Sequence, residues 1–120
     1  MYMDMRNGNY SFSSAVRDND LHRGSFNELT KKTFGFDFTD WYAEGNWGNL
    51  YIPHVMLDEG RVVSNVSVNR IRFDWGGKKK DYIQIGTVIT DEKYRDKGLN
   101  GQIMERVLKE YEGKADGIYL

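Results

Sequence analysis

The residues best suited to chemistry lie in one short run, Asp91-Glu92-Lys93-Tyr94-Arg95-Asp96-Lys97-Gly98-Leu99-Asn100-Gly101. It sits between an apolar segment and an amphipathic one. Gly98 and Gly101 bracket the start of the amphipathic segment. A helix that begins there has first-turn N–H groups with no acceptor inside the helix. Those donors and the positive end of the helix dipole form a site for an anion. A glycine at position 98 lets the backbone approach a phosphate closely, and Arg95 adds positive charge. Taken alone, such a loop favours an ordinary connection over a phosphate cradle, because a glycine near a helix start is common.

The flanking elements give the loop its context. Leu99 to Tyr111 is the clearest helix, with Leu99, Ile103, Val107, Leu108 and Tyr111 in one apolar stripe and Gly113 to end it. Tyr82 to Thr90 is a strand apolar on both faces, Tyr82 and Val88 against Ile83, Ile85 and Ile89, as expected of a central strand. Gly117 to Leu120 begins another apolar run. Strand, loop, helix and strand in that order predict a crossover that sets the last strand parallel to the one from Tyr82.

Upstream, the period is two from Tyr51 onward. Tyr51 to Leu57 reads as a strand, and Asp58-Glu59-Gly60 as a tight turn. Val62, Val66 and Val68 alternate on one face, whereas Ile71 and Phe73 have the opposite phase. That slip predicts a β-bulge near Asn69 and Arg70. Asp74 to Lys80, with Gly76-Gly77, reads as a turn. Before the strands, Ser25-Phe26-Asn27-Glu28 fits a helix-capping box and Gly35 a helix stop. Phe26, Leu29, Thr33 and Phe34 are the expected core face. A short helix is expected from Phe38 to Glu44, and a first strand around Tyr10, Phe12 and Val16.

Bulk properties narrow the function classes. The chain has 120 residues, 39% of them hydrophobic and 14% aromatic, with net charge −1. That suits one globular domain, residues 1–120, burying about two thirds of its unfolded surface. The balanced charge offers no basic footprint for nucleic acid and no broad attraction to a membrane. There are no cysteines, which excludes disulfides, a thiolate nucleophile and cysteine-based zinc sites. The two histidines, His22 and His54, lie in no metal-ligand spacing, so no metal is expected. No apolar stretch approaches the roughly 20 residues of a membrane span, and residues 1–10 lack a signal-peptide core. A cytoplasmic protein is the default expectation.

The run Gly86-Thr87-Val88-Ile89-Thr90, then Tyr94-Arg95-Asp96-Lys97-Gly98-Leu99, then the amphipathic helix and Asp116-Gly117-Ile118-Tyr119-Leu120, resembles the coenzyme-binding segment of the GNAT superfamily of N-acetyltransferases. The family pattern is Arg or Gln, two residues, Gly, one residue, then Gly or Ala. Here it reads Arg95-Asp96-Lys97-Gly98-Leu99-Asn100. The resemblance is specific over the last third of the chain, and the element order agrees with it from Ser25 onward. It implies an α/β (α+β) fold of the GNAT acyl-CoA N-acyltransferase type, a mixed and mainly antiparallel sheet flanked by helices. The implied activity is transfer of an acetyl group from acetyl-CoA to a primary amine, with the acceptor open.

Carried over residue by residue, the resemblance implies that backbone groups of Val88, Ile89 and Thr90 bind the pantetheine arm. Loop amides of Arg95, Asp96, Lys97, Gly98, Asn100 and Gly101 would bind the pyrophosphate. It assigns no catalytic residue. Gln84 stands where some members carry a carboxylate base, and it cannot take a proton, so a water chain is expected instead. Asn100 stands where glycine or alanine is usual and would either crowd the phosphates or donate to them. Glu92 stands where proline is frequent. GNAT domains also continue past this last strand with another helix and two strands, so a C-terminally truncated domain is expected. Its exposed last strand predicts a homo-oligomer, and the alternative function is a non-catalytic fragment that binds coenzyme weakly or only self-associates.

Other residues read more blandly. Asp37, Asp40 and Glu44 could draw a cationic amine, but surface charges and caps are the commoner outcome. Phe34, Phe36, Phe38, Trp41, Tyr42 and Trp47 are equally compatible with a pocket wall and with plain core. Lys78 to Lys80 reads as a solvated run on a turn. His54 reads as a structural histidine.

Overall fold

The computed structural model describes residues 10–119. Residues 1–9 and Leu120, the latter assigned from sequence to the last strand, lie outside the described residues. The elements are β1 (Tyr10–Ser13), α1 (Asp20–Phe34), α2 (Thr39–Ala43), β2 (Tyr51–Asp58), β3 (Arg61–Trp75), β4 (Lys78–Thr90), α3 (Leu99–Tyr111) and β5 (Gly117–Tyr119). One five-stranded sheet takes them in sequence order, β1-β2-β3-β4-β5. The first four strands pair antiparallel, and β5 runs parallel to β4. This is the mixed, mainly antiparallel α/β architecture expected from the sequence.

The two faces of the sheet carry separate cores. On one, Leu99, Ile103, Val107 and Tyr111 of α3 pack on Met56, Val63, Val66, Val68, Ile83 and Ile85. On the other, Phe26 and Leu29 of α1 join Trp47, Tyr51, Val55, Leu57, Val62 and Ile89. Leu108 is 45% exposed. It lies nine residues from Leu99, about two and a half turns, and so on the far side of α3 from the buried stripe.

Helix α1 starts six residues earlier than the capping box indicates, with its cap at Asn19 rather than Ser25. Asn19 Oδ1 accepts from the His22 N–H at 3.0 Å. Leu21 is 82% exposed, so the first turn carries no apolar period to betray it. Ser25 instead sits inside the helix, and its Oγ accepts from the Val62 N–H at 2.9 Å, tying α1 to β3. Gly35 does end the helix, in the left-handed conformation that favours glycine. The buried face is Phe26, Leu29 and Thr30; Thr33 and Phe34 are exposed.

Two bulges set the phase of the sheet, and neither lies at Asn69 or Arg70. Those two residues pair regularly with Gln84 and Ile83. In β3, Val63 is the extra residue between the pairs Leu57↔Val62 and Met56↔Ser64. Val62 therefore faces α1, while Val66 and Val68 face α3. In β4, Thr87 is the extra residue between Ser67↔Gly86 and Val66↔Val88. It sends Ile89 to the α1 face, away from Ile83 and Ile85. Beyond Arg70, residues 72–79 are exposed. No packed face dictates the phase there, which is why the slip at Ile71 and Phe73 misplaced the bulge.

The β3–β4 turn is only Gly76-Gly77, both at positive φ, as two-residue hairpins require. Lys78, Lys79 and Lys80 are strand residues opposite Trp75, Asp74 and Phe73, not turn residues.

Candidate functional site

Strand β4 is central only along part of its length. β5 pairs with Tyr82, Ile83 and Gln84. From Ile85 to Thr90 the same edge has no strand beside it among the described residues. Val88 is accordingly 46% exposed. Backbone donors and acceptors along that edge are available to an extended ligand.

The chain then turns through a short 3-10 turn, Glu92–Tyr94, into α3. Asp91 anchors the turn. Its N–H donates to the Val63 carbonyl at 2.8 Å, and its Oδ1 accepts from the Lys93 N–H at 3.0 Å. That hydrogen bond, with Lys32 at 3.6 Å and Arg61 nearby, holds the Asp91 carboxyl below the usual carboxylate range. Tyr94 Oη donates to Asp58 Oδ2 at 2.6 Å, pinning the loop to the β2–β3 hairpin. The same bond keeps the Tyr94 phenol protonated to higher pH than usual.

Asp96 (φ 65°) and Gly98 (φ 73°) turn the backbone left-handed into the helix. A Cβ at Gly98 meets no heavy atom within 4 Å, so the conformation, not crowding by protein, requires glycine there. The first helical bond runs from the Gln102 N–H to the Gly98 carbonyl at 3.1 Å. No side chain caps the helix, and no acidic residue lies in its first turn. The N–H groups of Leu99, Asn100 and Gly101 thus have no acceptor within it.

Between the free edge of β4 and this helix start lies a cleft of about 430 Å³. Of the residues singled out from sequence, Val88, Ile89, Thr90, Arg95, Asp96, Gly98, Asn100 and Gly101 line it; Lys97 does not. Thr33, Tyr94 and Leu99 line it as well. Thr33 carries the apolar period of α1 in sequence and was expected in the core. The fold alone shows that the C-terminal end of α1 reaches the cleft.

Asn100 neither stands free nor crowds the helix start. Its Oδ1 accepts a hydrogen bond from Ser64 Oγ of β3. Ser64 is fully buried and lies 2.9 Å from Thr90 Oγ1. With the Ser64 proton given to Asn100, Thr90 is the donor of that pair. The first turn of α3 is thereby tied to two strands. Ser64 carried no signal in sequence, since a lone serine in a strand has none.

A second polar cluster surrounds the β4 bulge on the α1 face. Tyr51 Oη lies 3.1 Å from Thr87 Oγ1 and 2.8 Å from Ser67 Oγ. Asn65 Nδ2 reaches Ser67 Oγ at 2.9 Å and the Thr87 carbonyl at 2.6 Å. Burial pushes the Tyr51 phenol above its ordinary pKa.

The remaining candidates divide clearly. Asp37 lies just before the α2 cap residue Phe38, its Oδ1 accepting from the Thr39 N–H at 3.0 Å; Asp40 and Glu44 are exposed. Phe38 packs on Phe26, Trp41, Trp47 and Tyr51 with ring centroids 5.2 to 5.9 Å apart. Phe38, Trp41 and Trp47 therefore belong to the core, while Tyr42 is exposed and Phe34 and Phe36 stack on each other in the open. Gln84 pairs with Asn69 and with Tyr119 of β5. His54 is wholly buried; its Nδ1 donates to the Ile52 carbonyl at 3.0 Å.

The sequence pattern of the acetyltransferase (GNAT) domain matches residues 15–120. The chain belongs to the GNAT acetyltransferase family. Among curated proteins, none matches this GNAT chain. Solved GNAT structures share its fold. An aminoglycoside acetyltransferase from an uncultured soil metagenomic sample, in complex with sisomicin, superposes with TM-score 0.74 at 12% identity, over 95% of this chain and 77% of that one. A Trypanosoma brucei acetyltransferase gives 0.71 at 15% identity, over 91% and 80%. Glucosamine-6-phosphate N-acetyltransferase from Arabidopsis thaliana gives 0.69 at 17% identity, over 91% and 79%. At these identities the likeness is one of fold. No helix among the described residues is long and apolar enough to cross a membrane.

Proposed function

We propose that this GNAT domain transfers an acetyl group from acetyl-CoA to a primary amine on a small molecule or peptide. The observation that carries the reading is the cleft itself, with an unpaired strand edge on one side and the free N–H groups of a helix start on the other. The donor set suits the ligand. The edge from Val88 to Thr90 offers amides and carbonyls to a pantetheine arm, and Gly98 to Gly101 offer N–H groups and a helix dipole to a pyrophosphate. Arg95 adds positive charge to the lining beside Asp96.

Acetyl-CoA supplies an activated thioester. The acceptor nitrogen bonds to its carbonyl carbon, the C–S bond breaks, coenzyme A leaves as the thiolate and the nitrogen gives up a proton. No carboxylate stands at Gln84 to take that proton, so water carries it to solvent. Neighbours of the same fold are named as acetyltransferases of aminoglycosides and of glucosamine 6-phosphate, which supports a small-molecule amine.

A thiol-release assay tests the reading. The chain has no cysteine, so a thiol reagent sees only liberated coenzyme A. Amine-dependent release is the expected result. Coenzyme binding without release for any amine in a broad panel favours a second reading, a domain that binds coenzyme and self-associates. The outer edge of β5 supports that one, since it pairs with no strand among the described residues and exposed edges recruit other chains. We take a homo-oligomer through β5 as part of the proposal; a monomer by light scattering at every concentration contradicts it.

A further inference from the structure

The polar cluster at the β4 bulge has a direction. The Thr87 carbonyl can only accept, so the Asn65 atom 2.6 Å from it must be the amide nitrogen. The other Nδ2–H then points at Ser67 Oγ. Ser67 passes its own proton to Tyr51 Oη, and Tyr51 passes its own to Thr87 Oγ1. Each hydroxyl accepts from one neighbour and donates to the next. The Thr87 proton at the end of the chain is left unspent, on a half-buried side chain. Hydrogen bonds arranged head to tail in this way polarise one another, so the terminal hydroxyl is a stronger donor than a lone threonine.

Three costs converge on the same spot. Thr87 is β-branched yet sits at φ 51°, a conformation strained for such a residue. Asn65 is fully buried, and its Oδ1 has no partner. Four polar side chains, Tyr51, Asn65, Ser67 and Thr87, are brought together in a face of the sheet that is otherwise apolar. Strain and unsatisfied groups concentrate where geometry serves a function.

The location matches. A coenzyme arm laid along the free edge of β4, with its pyrophosphate at the start of α3, runs from Thr90 toward Ile85. It must stop before Gln84, where β5 closes the edge. Its reactive end therefore lies beside Gly86 and Thr87.

We propose that Thr87 is a catalytic residue whose Oγ1–H donates a hydrogen bond to the thioester carbonyl oxygen of the bound acyl-CoA, with Tyr51, Ser67 and Asn65 as positioning residues that aim it. Thr87 keeps its proton throughout and stabilises the negative charge that grows on that oxygen as the amine attacks. The proposal rests on the acetyl-CoA reading of the cleft.

The test is the carbonyl ¹³C resonance of carbonyl-labelled acetyl-CoA bound to the full chain, beside calorimetric affinities. In the wild-type chain the resonance moves downfield of free coenzyme. In Thr87→Val, which keeps the branched shape, it returns toward the free position while affinity is retained. Thr87→Ser restores the shift, and Tyr51→Phe reduces it with the fold intact. Once an acceptor is known, kcat in Thr87→Val falls by about 10²-fold with little change in KM for the coenzyme. A shift unchanged in both Thr87→Val and Tyr51→Phe overturns this proposal alone. A wild-type chain that binds no acetyl-CoA overturns both it and the reading beneath it.

Discussion

Tyr51 of β2 donates a hydrogen bond across 3.1 Å to Thr87, the residue of β4 that opposes none in β3. The bulge at Thr87 turns Ile89 into the α1 core and leaves Val88 and Thr90 to line the cleft. Without it, Ile83, Ile85 and Ile89 would share a face. The extra residue thus sets which side chains at the end of β4 face the α1 core and which reach the cleft.

The Asn100 side chain ties the first turn of α3 to β3 through Ser64. Replacing Asn100 with Ala removes one hydrogen bond, but Ser64 Oγ retains Thr90 and the Ile89 carbonyl as partners. The expected loss is about 1 kcal/mol of stability, with acetyl-CoA affinity unchanged. Denaturant melts and calorimetry on Asn100→Ala measure both, and a clear loss of affinity would place the amide against the phosphates instead.

Stability should fall as pH drops through the histidine range. His54 is buried, and burial holds its pKa below the ordinary value despite Glu110 nearby at 3.7 Å. The unfolded chain, with a histidine pKa of about 6.5, takes up the proton first. The contribution is therefore complete above about pH 6.5 and is lost as pH falls from there toward the folded pKa. Melting curves between neutral and mildly acid pH check this. His54→Phe should flatten the slope in that window, and an equally steep slope in the variant assigns it to other groups.

Ile103 lies at the centre of the α3 stripe and is wholly buried against the sheet. Ile103→Ala should cost about 2–5 kcal/mol by urea denaturation. Leu108→Ala, one turn away on the exposed side, should cost far less. Similar costs at both positions would mean that the helix is rotated from the orientation described.

Helix α3 was legible to the residue, because its apolar period is long and Gly98 and Gly113 punctuate it. The cleft was legible through the same loop, with Lys97 outside it. The start of α1 was not, because Asn19, Asp20 and Leu21 face water and leave no period, and Ser25 imitates a cap while bonding across to β3. Nor were the bulges. Each shows only in which face a valine or isoleucine takes, and β3 and β4 are apolar on both faces where it matters. Hydrogen bonds such as Ser64 to Asn100, between residues far apart in sequence, leave no local trace.

Calorimetric titration of the chain with acetyl-CoA, beside ATP and beside the Gly98→Val variant, tests the central claim most directly. Gly98 at φ 73° makes a β-branched replacement cost roughly 1–2 kcal/mol of backbone strain, and the new side chain enters the cleft. Saturable binding of acetyl-CoA, weak or absent for ATP and lost by at least about tenfold in Gly98→Val with the variant still folded, is the predicted result. No binding by the folded wild-type chain, or equal binding by the variant, would contradict the assignment of this cleft to the coenzyme.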